Sequence, residues 1–162
     1  MATPLDVITL EQAKDWLVVD FDDADEIITR NIKTAIAWVE KYTCHLLYKR
    51  AITIPVTSSR TAIAFYPLAD VALKNKADET LAAMITEGAT KTYVYYSGYC
   101  GLGQNKITAN AGYETIDLIP APLLDACYKL ITYLYENRDA YSSTLPVDIQ
   151  LLINQFRRSA TL

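Results

Sequence analysis

The apolar spacing of this chain changes period twice, and that order limits the folds open to it. Residues 8–43 (ITLEQAKDWLVVDFDDADEIITRNIKTAIAWVEKYT) and residues 122–158 carry hydrophobic side chains at three- and four-residue steps, whereas the stretch between them alternates or clusters β-favouring residues. Helices at both ends with strands in the middle predict a mainly α, α+β fold. In it, three or four helices form a bundle, and a small antiparallel sheet or hairpin is inserted between the long N-terminal helix and the two C-terminal ones.

The ends of the helices can be read from their capping residues. Thr9 with Gln12 three positions on has the form of a capping box and predicts a short helix over 10–18. Asp23 with Glu26 repeats the signal. Behind it Ile28, Ile32, Ala35, Ile36, Val39 and Tyr42 form one stripe, which predicts a helix from about 24 to 43 with the acids of DDADE at the positive end of its dipole. Helical spacing returns at Pro122, where Leu123, Cys127, Leu130, Ile131 and Leu134 form a stripe that should fade near Asn137 to Ala140. Pro146 opens a last helix with Ile149, Leu152, Ile153 and Phe156 on one face, and Arg157 and Arg158 at its cation-favouring end.

The middle reads as strands. KRAITIPV and RTAIAFYP each run into a proline, which confines them to strand ends or sheet edges. KTYVYYSGY and KITANAGY are separated by the glycine-rich CGLGQN and are expected to pair as a hairpin. The 162 residues are expected to form one domain, helical over 9–43, strand-rich over 49–119 and helical over 122–158.

Composition narrows the function classes. Hydrophobic residues make up 51% and charged residues 21%, as in ordinary globular proteins. The start, MATPLDVITL, has no basic region followed by an apolar core. No uncharged apolar run approaches the ~18 residues of a membrane span. A soluble protein made in a cytoplasm is expected. The net charge of −4 divides into −7 over residues 1–26, +6 over 27–76 and −3 over the rest. Such asymmetry suits a head-to-tail contact between copies, and a solvated face would look the same.

No constellation in the sequence asks for chemistry. His45 is the only histidine, and its neighbour Cys44 would point about 100° away from it on a helix end, so a structural histidine is expected rather than a Cys–His pair. Cys44, Cys100 and Cys127 lie in no metal-ligand spacing and are read as free thiols. The acids of DFDDADE lack the glycine and the terminal glutamate of a calcium loop, since Ala24, Asp25 and Asn31 stand at the fifth, sixth and twelfth places counted from Asp20. Helix capping explains the same acids. GLG at 101–103 is too short for a dinucleotide fingerprint. Twelve tyrosines, several in YVYYSGY, would serve sheet or subunit contacts, or base stacking; the run holds no Lys or Arg after Lys91, which disfavours nucleic acid. No enzyme, cofactor or metal is expected. A small nucleic-acid-binding or regulatory protein is the alternative.

The order of the short motifs resembles the head-tail connector (neck adaptor) family of tailed bacteriophages. These are Ile8 to Glu11, the acidic turn Asp20 to Glu26, Tyr42–Thr43, then Ala111–Gly112–Tyr113, Pro122, the helix end Tyr135–Glu136–Asn137–Arg138, and a last helix entered at Leu145–Pro146. The YVYYSGYCGLGQ segment departs from that pattern. The resemblance implies a structural virion protein, made in the host cytoplasm and placed at the neck. There, about twelve copies would ring the channel beneath the portal protein and offer a docking surface to a stopper or tail completion protein. Genomic DNA would pass without specific binding, because a negative ring gives phosphates nothing to hold. It also implies Phe156, Arg157 and Arg158 as candidate portal or neck contacts, and Asp22, Asp23 and Asp25 as candidate inter-subunit or lumen acids.

Overall fold

In the computed structural model, residues 3–56, 58–88, 90–96, 105–138 and 145–158 are described. Five α-helices are found among them: α1 (Pro4–Val7), α2 (Leu10–Leu17), α3 (Asp25–Thr43), α4 (Ala121–Glu136) and α5 (Val147–Ile153). The α+β expectation is met, with more strand than a single hairpin supplies.

The capping box of α2 forms as predicted: Thr9 Oγ1 accepts from Gln12 N at 3.2 Å and Gln12 Oε1 accepts from Thr9 N at 3.0 Å. The second box does not. A 3-10 turn over Asp22–Ala24 precedes α3, whose N-cap is Ala24 with no side-chain cap, so Asp23 and Glu26 are not a reciprocal pair. The stripe of α3 is buried through Ile28, Ile32, Ala35, Ile36 and Val39, and it packs on the Leu123, Ala126, Cys127, Leu130 and Ile131 face of α4. Each of the buried Ile, Leu and Val side chains contributes roughly 1.5–3 kcal/mol by leaving water, the alanines less. Helices α1, α2 and α5 close this core, with Val7, Ile8, Ala13, Ile149 and Ile153 buried in it.

The strands β1 (Arg50–Pro55), β2 (Arg60–Ile63), β3 (Leu68–Lys74), β4 (Thr80–Leu81), β5 (Met84–Glu87), β6 (Thr92–Tyr95) and β7 (Lys106–Ala111) form two antiparallel sheets, ordered β1-β7-β3-β4 and β2-β6-β5. Both proline-terminated runs are edge strands, as a residue without an N–H requires. The expected hairpin is corrected: β6 pairs with β2 and β5, and β7 pairs with β1 and β3, so the two runs lie in different sheets. The reason is burial. Val94 and Ile107 enter one shared core with Val56, Ile63 and Leu73, which opposed sheets supply and a lone hairpin does not. The segment 97–104, including Cys100 and GLG, lies outside the described residues.

The join between the helical core and the sheets is made by three groups, of which Glu40 and Cys44 are buried and Gly112 half-buried. Glu40 on α3 accepts from Leu47 N at 2.8 Å and, bidentate, from the Arg50 guanidinium of β1 at 3.2 and 2.9 Å. Gly112 sits at φ +109°, and a Cβ there would fall 2.1 Å from the Tyr48 carbonyl oxygen, so only glycine lets the chain leave β7 beside Tyr48. Cys44 ends α3 in the left-handed region with its N–H on the Glu40 carbonyl.

Candidate interface surfaces

The C-terminal candidates cluster where the two halves meet. After α5 a 3-10 turn over Asn154–Phe156 carries the chain back onto the end of α3, so Arg157 and Arg158 lie beyond the helix rather than in its last turn. Arg158 donates its backbone N–H to the Thr43 carbonyl at 3.0 Å and its Nε to the Thr90 carbonyl at 3.1 Å, and its guanidinium lies 4.8 Å from the Tyr66 ring centre. Phe156 meets His45 edge-on at 5.9 Å. Arg157 lies 5.2 Å over the Tyr42 ring and is exposed. Of the three, Phe156 and Arg158 are anchors within the subunit, and Arg157 is the one turned to solvent.

His45 is the hub of this seam. It is buried, its Nδ1 lies 2.8 Å from the Tyr113 hydroxyl, and the Tyr66 ring stands 5.1 Å away. Burial first, and the Arg158 charge second, push its pKa down to about 4, while a hydrogen bond with the Phe156 backbone opposes them. Burial likewise pushes Tyr113 up to about 12. Both stay neutral near pH 7, so this arrangement fastens elements together and holds no group that would exchange a proton there. The sequence reading of a structural histidine agrees with the geometry. Cys44 and Cys127 are free and buried, and desolvation raises both thiols.

The acidic block folds into a corner around one lysine. Lys14 Nζ lies 2.8 Å from Asp22 Oδ1 and 2.8 Å from Asp25 Oδ1, which raises the lysine to about 12 and lowers Asp22. The capping account of these acids therefore gives way to an ion-pair account for two of them. Asp23 is exposed and pairs with no cation among the described residues. Among those residues no cluster of His, Cys, Asp or Glu could hold a metal. Beside the acids, Val18 and Phe21 are 85% and 56% exposed.

The motif residues at the end of α4 close that helix. Asn137 caps it, its N–H and Nδ2 both donating to the Tyr133 carbonyl, and Arg138 lies 5.0 Å over the Tyr135 ring; Glu136 is exposed. Tyr135 packs on the helical core. Sequence reasoning missed one surface. The outer face of β2-β6-β5 presents Arg60, Tyr95 and Met84 side by side in register, and the Arg60 guanidinium covers Tyr93 at 4.2 Å and Tyr95 at 5.7 Å. The tyrosine run, which has no cation of its own after Lys91, borrows one from Arg60 on β2, far earlier in the chain. Only the pairing of β2 with β6 could have revealed it.

This arrangement of helices and two small sheets is shared with chains of solved particle structures. The chain is similar, over 100% of its length, to a chain of the neck of an empty gene transfer agent (GTA) particle computed with C6 symmetry (TM-score 0.74, 19% identity, 95% of that chain covered). It is similar in the same way to chains of the virion of the native GTA particle (TM-score 0.76, 20% identity, 95% covered) and of the neck of the native particle computed with C12 symmetry (TM-score 0.74, 21% identity, 94% covered). The sequence itself, over residues 7–65, matches the model of the phage gp6-like head-tail connector protein family. No curated protein matches the sequence. Family match and fold bear out the resemblance to head-tail connectors, and the matched span, from α1 to just past β2, contains the Thr9 capping box, the acidic corner and α3. No helix among the described residues is long and apolar enough to cross a membrane.

Proposed function

We propose that the protein is a structural virion protein of the neck, a head-tail connector that does no bond-making. The observation that carries this reading is the coincidence of a connector family match over 7–65 with a neck-protein fold over the whole length. Copies of the chain form a ring beneath the portal protein, about twelve if it follows the C12 symmetry with which one similar neck was computed, and extend the channel through which genomic DNA passes. Arg157 reaches toward the portal or a neck partner from a base that Phe156 and Arg158 anchor. Asp22 and Asp23 face a neighbouring copy or the lumen, while Asp25 is held inward by Lys14. A stopper or tail completion protein docks on the ring's far side. The chain's net charge of −4, repeated around the ring, gives DNA phosphates no counter-charge to bind, which suits a passage.

Deleting the coding sequence tests this reading. The expected product is DNA-filled heads that fail to join tails, corrected by supplying the wild-type chain in trans. Complete, infective or transferring particles from the deletion would overturn it.

A further inference from the structure

Two surfaces on this chain complement each other without meeting inside it. One is the outer face of the three-stranded sheet. Arg60, Tyr95 and Met84 lie in one cross-strand row, with Ala62, Tyr93 and Thr86 in the next, while Thr61, Ile63, Val94 and Thr92 point the other way and are buried. Tyr, Met and Arg are the side chains enriched in protein interfaces, and Met84 is 62% exposed. The face opens into a cleft of about 860 Å³ lined by Ser59, Arg60, Ala83, Met84, Tyr95 and Tyr96. No carboxylate among the described residues pairs with Arg60, whose charge rests on two tyrosine rings.

The other surface is the turn between α2 and α3. Val18 ends α2 at φ +56°, in the left-handed region where a β-branched residue is strained, and it is the most exposed of the large hydrophobic side chains described. Within the subunit glycine would serve better at that place. Phe21 is also exposed, and Asp23, two residues on, has no cation partner among the described residues. An apolar pair with an unpaired acid thus stands on one half of the chain, and an aromatic cleft with an unpaired cation on the other.

We infer that the Val18–Asp23 turn of one copy docks on the Arg60–Tyr95–Met84 face of the next, Asp23 pairing with Arg60 while Val18 and Phe21 fill the cleft. A contact between two different patches of identical chains is head-to-tail, and it closes into a ring when the rotation per copy divides the circle. The inference rests on the neck reading above and names the contact that builds the ring.

The test places the photo-crosslinker p-benzoylphenylalanine at Tyr95 of the full-length chain, in assembled particles and in the concentrated purified protein. Adducts joining Tyr95 to the peptide containing Val18 and Phe21 of a second copy are expected. Arg60→Glu or Asp23→Arg alone should cut their yield about tenfold, as for an interface hot spot, and the combined charge swap should restore most of it. Adducts to another segment, to a different protein or to DNA, or no adducts between copies, would overturn the inference and leave the neck reading standing. Finding the chain absent from purified particles would remove both. Circular dichroism of each variant separates loss of docking from loss of fold.

Discussion

Replacing Glu40 by alanine should destabilise the protein by roughly 2–4 kcal/mol. The carboxylate is buried and has three donors: the Leu47 amide and two guanidinium nitrogens of Arg50. Without it the Leu47 amide is left unpaired in the seam between helices and sheets, which costs about 1–3 kcal/mol for a buried donor. The ion pair adds less than a fully buried one would, because a third of the Arg50 side chain is exposed and can turn to water; about 1 kcal/mol is a fair share. At roughly 2–4 °C per kcal/mol for a protein of this size, the midpoint of thermal unfolding should fall by about 4–16 °C. Urea titration at unchanged m-value is the assay. Arg50→Ala spares the Leu47 bond but leaves the buried Glu40 carboxylate without its counter-charge, so it should cost as much, roughly 2–4 kcal/mol, and the double variant should cost little more than either single change. A Glu40→Ala protein within about 0.5 kcal/mol of wild type would refute the claim that this carboxylate ties the two halves together.

Gly112→Ala should be worse, about 3 kcal/mol or more, because the new Cβ meets the Tyr48 backbone and the residue is held at positive φ; normal expression and melting would contradict that. His45 has a folded pKa of about 4, below its ordinary 6.5, so the unfolded chain takes up the proton first: stability is full above pH 6.5 and is lost as pH falls toward 4. His45→Gln should flatten that part of the stability–pH curve, and an unchanged slope would mean the acid sensitivity lies elsewhere. The Cys127 thiol, fully buried and raised in pKa, should resist iodoacetamide in the native protein and label on unfolding, as peptide mass spectrometry would show. Asp22→Lys with Asp23→Lys should weaken assembly of the neck without lowering the melting temperature by more than a few degrees, and normal necks from that variant would reduce the acids to solvated surface.

The helices were legible in the sequence because their signals are local. Thr9 and Gln12 cap α2 through their own side chains, and the Ile28 to Val39 stripe needs only a 3.6-residue period to be read. The sheets were not, because pairing is a long-range property. β3 gives little local signal: LADVALK has little β-preference, and its register shifts between Ala69 and Ala72 beside Asp70 at φ +53°, which breaks the alternation that marks a strand. Adjacency in sequence points to β6 as the partner of β7, whereas burial of Ile107 favours β1 and β3. The candidate contacts show the same division. Arg157 and Arg158 were found as a charge pair, but only the structure separates the anchored Arg158 from the exposed Arg157, and Arg60 reached the tyrosines through a strand pairing that no local pattern announces.

Whether copies of this chain line the passage below the portal is decided by cryo-electron microscopy of the portal vertex of purified particles. A ring of density is expected directly below the portal, into which this fold fits, with α3 and both sheets resolved in every copy around an open channel. A vertex reconstructed at comparable detail with no such ring, or with that position filled by another protein, would contradict it.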